Sequence, residues 1–104
     1  MIIVTTDEIP GRTIKKTLGL VRGNTIRARH VGRDISAALK NLVGGEITDY
    51  TKMMAESREQ ALDRMVEEAE TMNADAIVGA KFTTSMIMQS ASEILAYGTA
   101  VLLE

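Results

Sequence analysis

Met86 and Met88 are the residues of this chain whose type and spacing best suit a soft metal ion. With seven Met, one His and no Cys in the chain, thioethers are the soft ligands that remain for copper(I) or silver. Two positions apart on a strand, the two side chains would point to one face, and an oligomer would multiply the pair by its copy number. The same residues suit plain packing, because Met fills irregular space in cores and subunit contacts. His30 is a poorer ligand. Arg27, Arg29 and Arg33 surround it in the sequence and would repel a cation, so it reads as a surface or interface histidine.

Harder cations have less to hold them. Glu59 and Asp63 lie four apart on one helix face, as do Glu56 and Gln60, but two carboxylates fall short of the roughly six to eight oxygens that calcium takes. This stripe reads as a solvated helix face. Glu46 beside Tyr50, together with the Arg33-Asp34 pair, could move a proton, yet the same residues fit a capping and turn network around Gly44-Gly45. The Ser, Thr and single His form no nucleophile–base–orienter pattern, and the glycines have neither phosphate-loop spacing nor its lysine. No catalytic residue is assigned.

The elements that must position these residues follow from periodicity. Residues 2–6 are β-branched and run into a turn at Pro10-Gly11. Residues 15–28 alternate loosely as a second strand, with Leu18, Leu20 and Ile26 on one side and glycines that weaken or bulge it. Asp34 caps a short helix through residues 37–43 that Gly44-Gly45 ends. A long helix over residues 48–72 carries Tyr50, Met53, Met54, Ser57, Ala61, Met65, Ala69 and Met72 at helical spacing, about 37 Å from end to end, and Asn73 stops it. Strands over residues 75–88 and 92–103 follow, joined tightly at residues 89–91. The expected fold is therefore one α+β domain over residues 1–104, in the order β-β-α-α-β-β, with a mostly antiparallel sheet packed by one long and one short helix.

In the last strand Ile94, Ala96, Gly98, Ala100 and Leu102 point one way, and Leu95, Tyr97, Thr99, Val101 and Leu103 the other. Both faces are apolar or small. One helix layer covers only one of them, so a neighbouring copy is expected to cover the other.

Charge is divided along the chain. Residues 1–45 carry +5 and residues 46–104 carry −7, giving a net −2. The split could mark an anion-binding face or head-to-tail packing of unlike halves. Packing is the better reading, because no aromatic residue punctuates the basic positions. The acid-leaning balance and only three aromatics argue against nucleic acid as a partner. No run approaches the roughly 20 apolar residues of a membrane span, so the expectation is a cytoplasmic protein without a membrane partner.

Several motifs stand in order and at spacings that are specific together. They are Gly19-Leu20-Val21-Arg22-Gly23, Arg33-Asp34, Gly44-Gly45-Glu46, Tyr50-Thr51, Arg58 with Ala61, Ala74-Asp75-Ala76-Ile77-Val78-Gly79 and Tyr97-Gly98-Thr99-Ala100-Val101. Over nearly the whole chain they resemble the YbjQ-like family, an uncharacterised family also described as heavy-metal-binding. The resemblance implies a dodecin-like subunit that assembles as a homopentameric ring. Asn73 stands where relatives often place Gly and tolerates the same backbone. The expected function is a non-enzymatic, oligomeric binding protein for a metal ion or a small anionic ligand at subunit junctions. The alternatives are an enzyme with an intersubunit site and a structural or regulatory scaffold ring. A flavin suggested by fold analogy finds few aromatics to stack on.

Overall fold

The computed structural model describes residues 1–28, 46–88 and 91–104, with the backbone alone described at residues 28 and 46–50. Its elements are β1 (Ile2–Ile3), β2 (Ile14–Ala28), α1 (Glu46–Thr71), β3 (Ala76–Met88) and β4 (Ala91–Leu103). The short helix expected between residues 34 and 43 lies outside the described residues. The four strands form one sheet in the order β1-β3-β4-β2. β4 pairs antiparallel with β3 and β2, whereas β1 pairs parallel with β3, so the sheet is mixed.

The long helix forms where its apolar spacing places it. Ser57, Ala61, Met65 and Ala69 recur every four residues and are all buried, while the charged positions between them face water. Its end is a Schellman turn: Asn73 takes φ 59°, its N–H donates to the Glu70 carbonyl at 3.0 Å, and the Ala74 N–H donates to the Ala69 carbonyl at 3.1 Å.

Small residues let this helix lie close on the sheet. Ala61, Met65 and Ala69 meet Val21, Ile77, Ala80, Ile94, Ala96 and Ala100 in the main core. Gly23 is buried directly beneath the helix, where an added Cβ would collide with the Ala61 carbonyl oxygen and the Met65 nitrogen and would stand 2.7 Å from Arg64 Cβ. Polar contacts hold the same seam. Arg27 Nε donates to Ser57 Oγ at 2.7 Å and its Nη2 to Gln60 Oε1 at 2.6 Å, while Thr25 Oγ1 donates to the Ser57 carbonyl at 3.2 Å. Arg64 Nη1 reaches the Asn24 carbonyl from the other side of the seam. The acidic helix thus already lies over the basic strand β2 within one chain, and the charge split is no reason by itself for copies to meet.

Two glycine bulges set which residues face the helix. The β2–β4 register shifts between Thr17 and Gly19, where Gly19 takes φ 140°, and the β3–β4 register shifts between Val78 and Lys81, where Gly79 takes φ 62°. Each inserts one residue and reverses the phase of the strand beyond it. Leu18 and Leu20 therefore part company: Leu18 packs on the helix-side core, while Leu20 is exposed on the opposite face.

Among the described residues, that opposite face is covered only at one end. Val4, Ile9 and Ile14 pack there against Ala76, Val78, Val101 and Leu103, and Asp75 Oδ2 accepts from the Leu103 N–H at 2.9 Å. Gly98 closely approaches its own chain. Its missing Cβ would stand 2.7 Å from Ile77 Cγ2 and 3.1 Å from the Val78 carbonyl oxygen.

The shape follows from long elements with little to fold over them. Extents of 55 × 22 × 16 Å and a radius of gyration of 17.4 Å compare with about 13 Å for a compact chain of this length. Among the described residues, a slab of this form leaves sheet surface and sheet edges uncovered.

Candidate site on the open sheet face and edge

Cross-strand register brings together residues far apart in sequence. Tyr97 on β4 stands directly opposite Arg22 on β2 and Lys81 on β3, so Arg22, Tyr97 and Lys81 form one row across the sheet. Its flanking residues reach that face through the two bulges. Without the extra residue at Gly19, Arg22 would turn toward the helix, and without Gly79 so would Lys81.

The row lies on the face opposite α1, since Ala96 and Ala100 on the alternate positions of β4 belong to the helix-side core. Tyr97 is half-buried, and Arg22 and Lys81 are exposed. Leu20 and Thr99 stand together beside Val78 in the row before, and Asn24, Leu95 and Thr83 in the row after. Among the described residues, the side chains of Arg22 and Lys81 make no ion pair or hydrogen bond. Glu93 lies two rows away and accepts from Asn24 Nδ2 at 3.1 Å. This overturns the reason for preferring packing to anion binding: an aromatic ring does punctuate the basic positions, in space rather than in sequence. Sequence reasoning missed the row because only strand order and bulge positions bring residues 22, 81 and 97 together.

The second feature is an edge. Residues 2–6 cover the start of β3, with the Val4 N–H donating to the Ile77 carbonyl at 2.9 Å, Ala80 N–H to Val4 at 3.0 Å and Gly79 N–H to Thr6 at 2.8 Å. Beyond them, residues 81–88 have no strand on their outer side among the described residues, and all eight are exposed. From Phe82 to Met88 this edge carries no charge. β2, the other edge among the described residues, carries Lys15, Lys16, Arg22 and Arg27 with no carboxylate. β4, expected to carry the subunit contact, is a central strand paired on both sides, so it can offer a neighbour only its open face.

Met86 and Met88 lie on the bare part of β3, 77% and 60% exposed. The register shifts between them: Met86 pairs with Ser92 and Met88 with Ala91, adjacent residues of β4. The alternation that would set both thioethers on one face is interrupted there. His30 and the Arg33-Asp34 pair lie outside the described residues, as do the side chains of Glu46 and Tyr50. Glu59 and Asp63 are exposed on α1, and Gln60 is engaged by Arg27. Among the described residues, no group of three or more His, Asp or Glu could hold a metal ion, and no helix is long and apolar enough to cross a membrane.

A family model described as "Putative heavy-metal-binding" matches residues 1–104. The chain belongs to the YbjQ family. Curated relatives of this YbjQ chain include a UPF0145 protein from Methanosarcina acetivorans, 60% identical over 97% of this chain and 95% of its own length. Another from Clostridioides difficile is 56% identical over 100% of this chain and 93% of its own. A crystal structure from Pediococcus pentosaceus, described as a protein of unknown function in the DUF74 family, superposes with a TM-score of 0.71 at 21% identity, covering 100% of this YbjQ chain and 98% of that one. At that identity the likeness shows a shared fold alone.

Proposed function

We propose that this chain works as a homo-oligomeric binding protein whose copies meet along β3. The observation that carries this reading is the uncharged edge from Phe82 to Met88, every residue of which is exposed, Phe82 and Ile87 to 50% and Met86 to 77%. A long uncharged edge strand is a template for pairing with another strand, and proteins that stay monomeric commonly guard such edges with charge. Pairing of two β3 edges would give a closed dimer. Pairing of β3 with the unlike edge β2 of the next copy gives a head-to-tail chain that closes as a ring. The ring is the form we propose, with five copies the count that the family resemblance implies. Light scattering on protein eluting from a size-exclusion column at low micromolar concentration should return a multiple of the 11.3 kDa chain mass, and a monomer would remove the assembly.

The ligand of such a ring is small, a metal ion or an anion. For the metal, Met86 and Met88 remain the soft ligands by virtue of their exposure on the bare strand, and the ring would bring further copies of them near. Replacing both by Leu should abolish copper(I) binding in a competition titration, while replacing His30 alone should leave it intact. Unchanged affinity without the two methionines would end the thioether reading.

A further inference from the structure

We propose that the open sheet face binds a small planar anion, an aromatic or heteroaromatic ring carrying a phosphate or carboxylate, with the ring on Tyr97 and the anionic group held by Arg22 and Lys81. The inference deepens the binding-protein reading and rests on it, but it does not require the ring of subunits.

Three observations carry it. The first is the register, which places one aromatic ring between two cations in a single cross-strand row. Adjacent strands lie about 4.8 Å apart, so the two cationic side chains leave the sheet roughly 10 Å apart with Tyr97 at the centre. Both cations are long and flexible enough to reach over toward an anionic group bound beside Tyr97. The second is that Arg22 and Lys81 make no ion pair among the described residues, although Asp7 stands beside Gly79 and Glu93 lies on the same sheet face. Two cations on one patch, neither paired with a described carboxylate, favour an anion there. The third is that each cation reaches this face only through a bulge at a glycine with positive φ, Gly19 for Arg22 and Gly79 for Lys81. Two separate interruptions of regular pairing put like charges on the same row, where regular strands would have sent both toward the helix.

The chemistry of the surroundings agrees. Leu20 and Leu95 stand in the rows on either side of Tyr97 and would help exclude water from a stacked ligand, and Thr83 and Thr99 stand in the same adjoining rows. Hydroxyls and cations donate hydrogen bonds to phosphate or carboxylate oxygens. A single aromatic position offers a stacking place for one ring. Single-stranded nucleic acid, which takes successive aromatic platforms, fits less well.

Isothermal titration with adenosine 5′-monophosphate, adenosine and inorganic phosphate tests the proposal, with light scattering on the same samples. The nucleotide should bind saturably, and about tenfold or more tighter than either adenosine or phosphate, because it alone engages both the ring and the cations. Arg22→Gln combined with Lys81→Gln should weaken nucleotide binding about tenfold, each exposed cation supplying up to about fivefold. Tyr97→Leu should weaken it by about fivefold or more, in line with the loss of one stacked ring. The charge-conserving pair Arg22→Lys with Lys81→Arg should bind within about threefold of wild type, which separates loss of charge from loss of fold. Absence of saturable nucleotide binding at millimolar concentration would overturn the proposal, as would affinity unchanged in the double Gln variant. Phosphate binding as tight as the nucleotide's, with Tyr97→Leu silent, would overturn the planar part. An assembled protein that fails to bind sinks the site while leaving the assembly intact. A monomer that binds supports the site without the ring.

Discussion

Gly23→Ala should unseat the long helix and lower the melting temperature by more than about 12 °C. The methyl group has no space to enter, because its position falls against the Ala61 carbonyl oxygen and the Met65 nitrogen as well as Arg64 Cβ. Two of these three atoms belong to helix backbone, which cannot rotate aside as a side chain would. The helix must lift or slide. Either movement opens the seam where Ala61, Met65 and Ala69 meet Val21, Ile94 and Ala96, and it stretches the Thr25 and Arg64 hydrogen bonds to backbone carbonyls across that seam. Overpacking costs typically about 1–3 kcal/mol, and a rigid contact on both sides puts this site at or beyond the upper end, near 3 kcal/mol. At about 4–8 °C per kcal/mol for a domain of this size, the drop in melting temperature exceeds about 12 °C. Circular dichroism melts at one fixed protein concentration measure it. A shift under about 3 °C would mean that the helix does not sit on Gly23 as closely as described.

The close seam also shows what the sequence could and could not convey. The helix was legible because its buried residues repeat every four positions from Ser57 to Ala69, and its end because Asn73 tolerates the left-handed backbone that a Schellman turn needs. Both are local signals. The long strands were legible for the same reason, since alternation and β-branching belong to each segment alone. Strand order does not, and so β4 reads in sequence as a strand with a face to offer when it is in fact the centre of the sheet. Nor does a bulge announce its own effect. Gly19 is visible as a weak point in β2, but the phase reversal that separates Leu18 from Leu20 depends on which residue of β4 stands opposite. Gly79 does the same for Lys81, and the shift between Met86 and Met88 for the two thioethers. The candidate row of Arg22, Tyr97 and Lys81 is the product of all these non-local terms. No local pattern could have assembled it.

Placing lysine at Phe82 and Met86 should convert the assembled protein to monomer while leaving its fold intact. Both side chains lie on the bare half of β3, half or more exposed, so neither supports the core of its own subunit. Their register partners, Ala96 and Ser92, belong to β4, and neither position is covered by residues 2–6. In a neighbouring copy's contact the two apolar side chains could bury the half or more of their surface that is exposed, together about 2–4 kcal/mol. Lysine removes that gain and adds a charge to be desolvated, the device by which natural edge strands avoid pairing. The change is larger still if the partner edge is β2, because Lys15, Lys16 and Arg22 would then face new positive charge. A combined loss of at least about 3 kcal/mol per contact weakens each one more than a hundredfold, enough to dissolve a ring at low micromolar concentration. Met72→Lys serves as the comparison: it alters an exposed methionine just past the end of α1, far from the bare edge in the sequence of elements, and should leave the mass unchanged. Light scattering decides between the outcomes. An assembly that persists with both lysines in place would show that the copies do not meet along β3, and one that Met72→Lys also dissolves would move the contact toward the end of the helix.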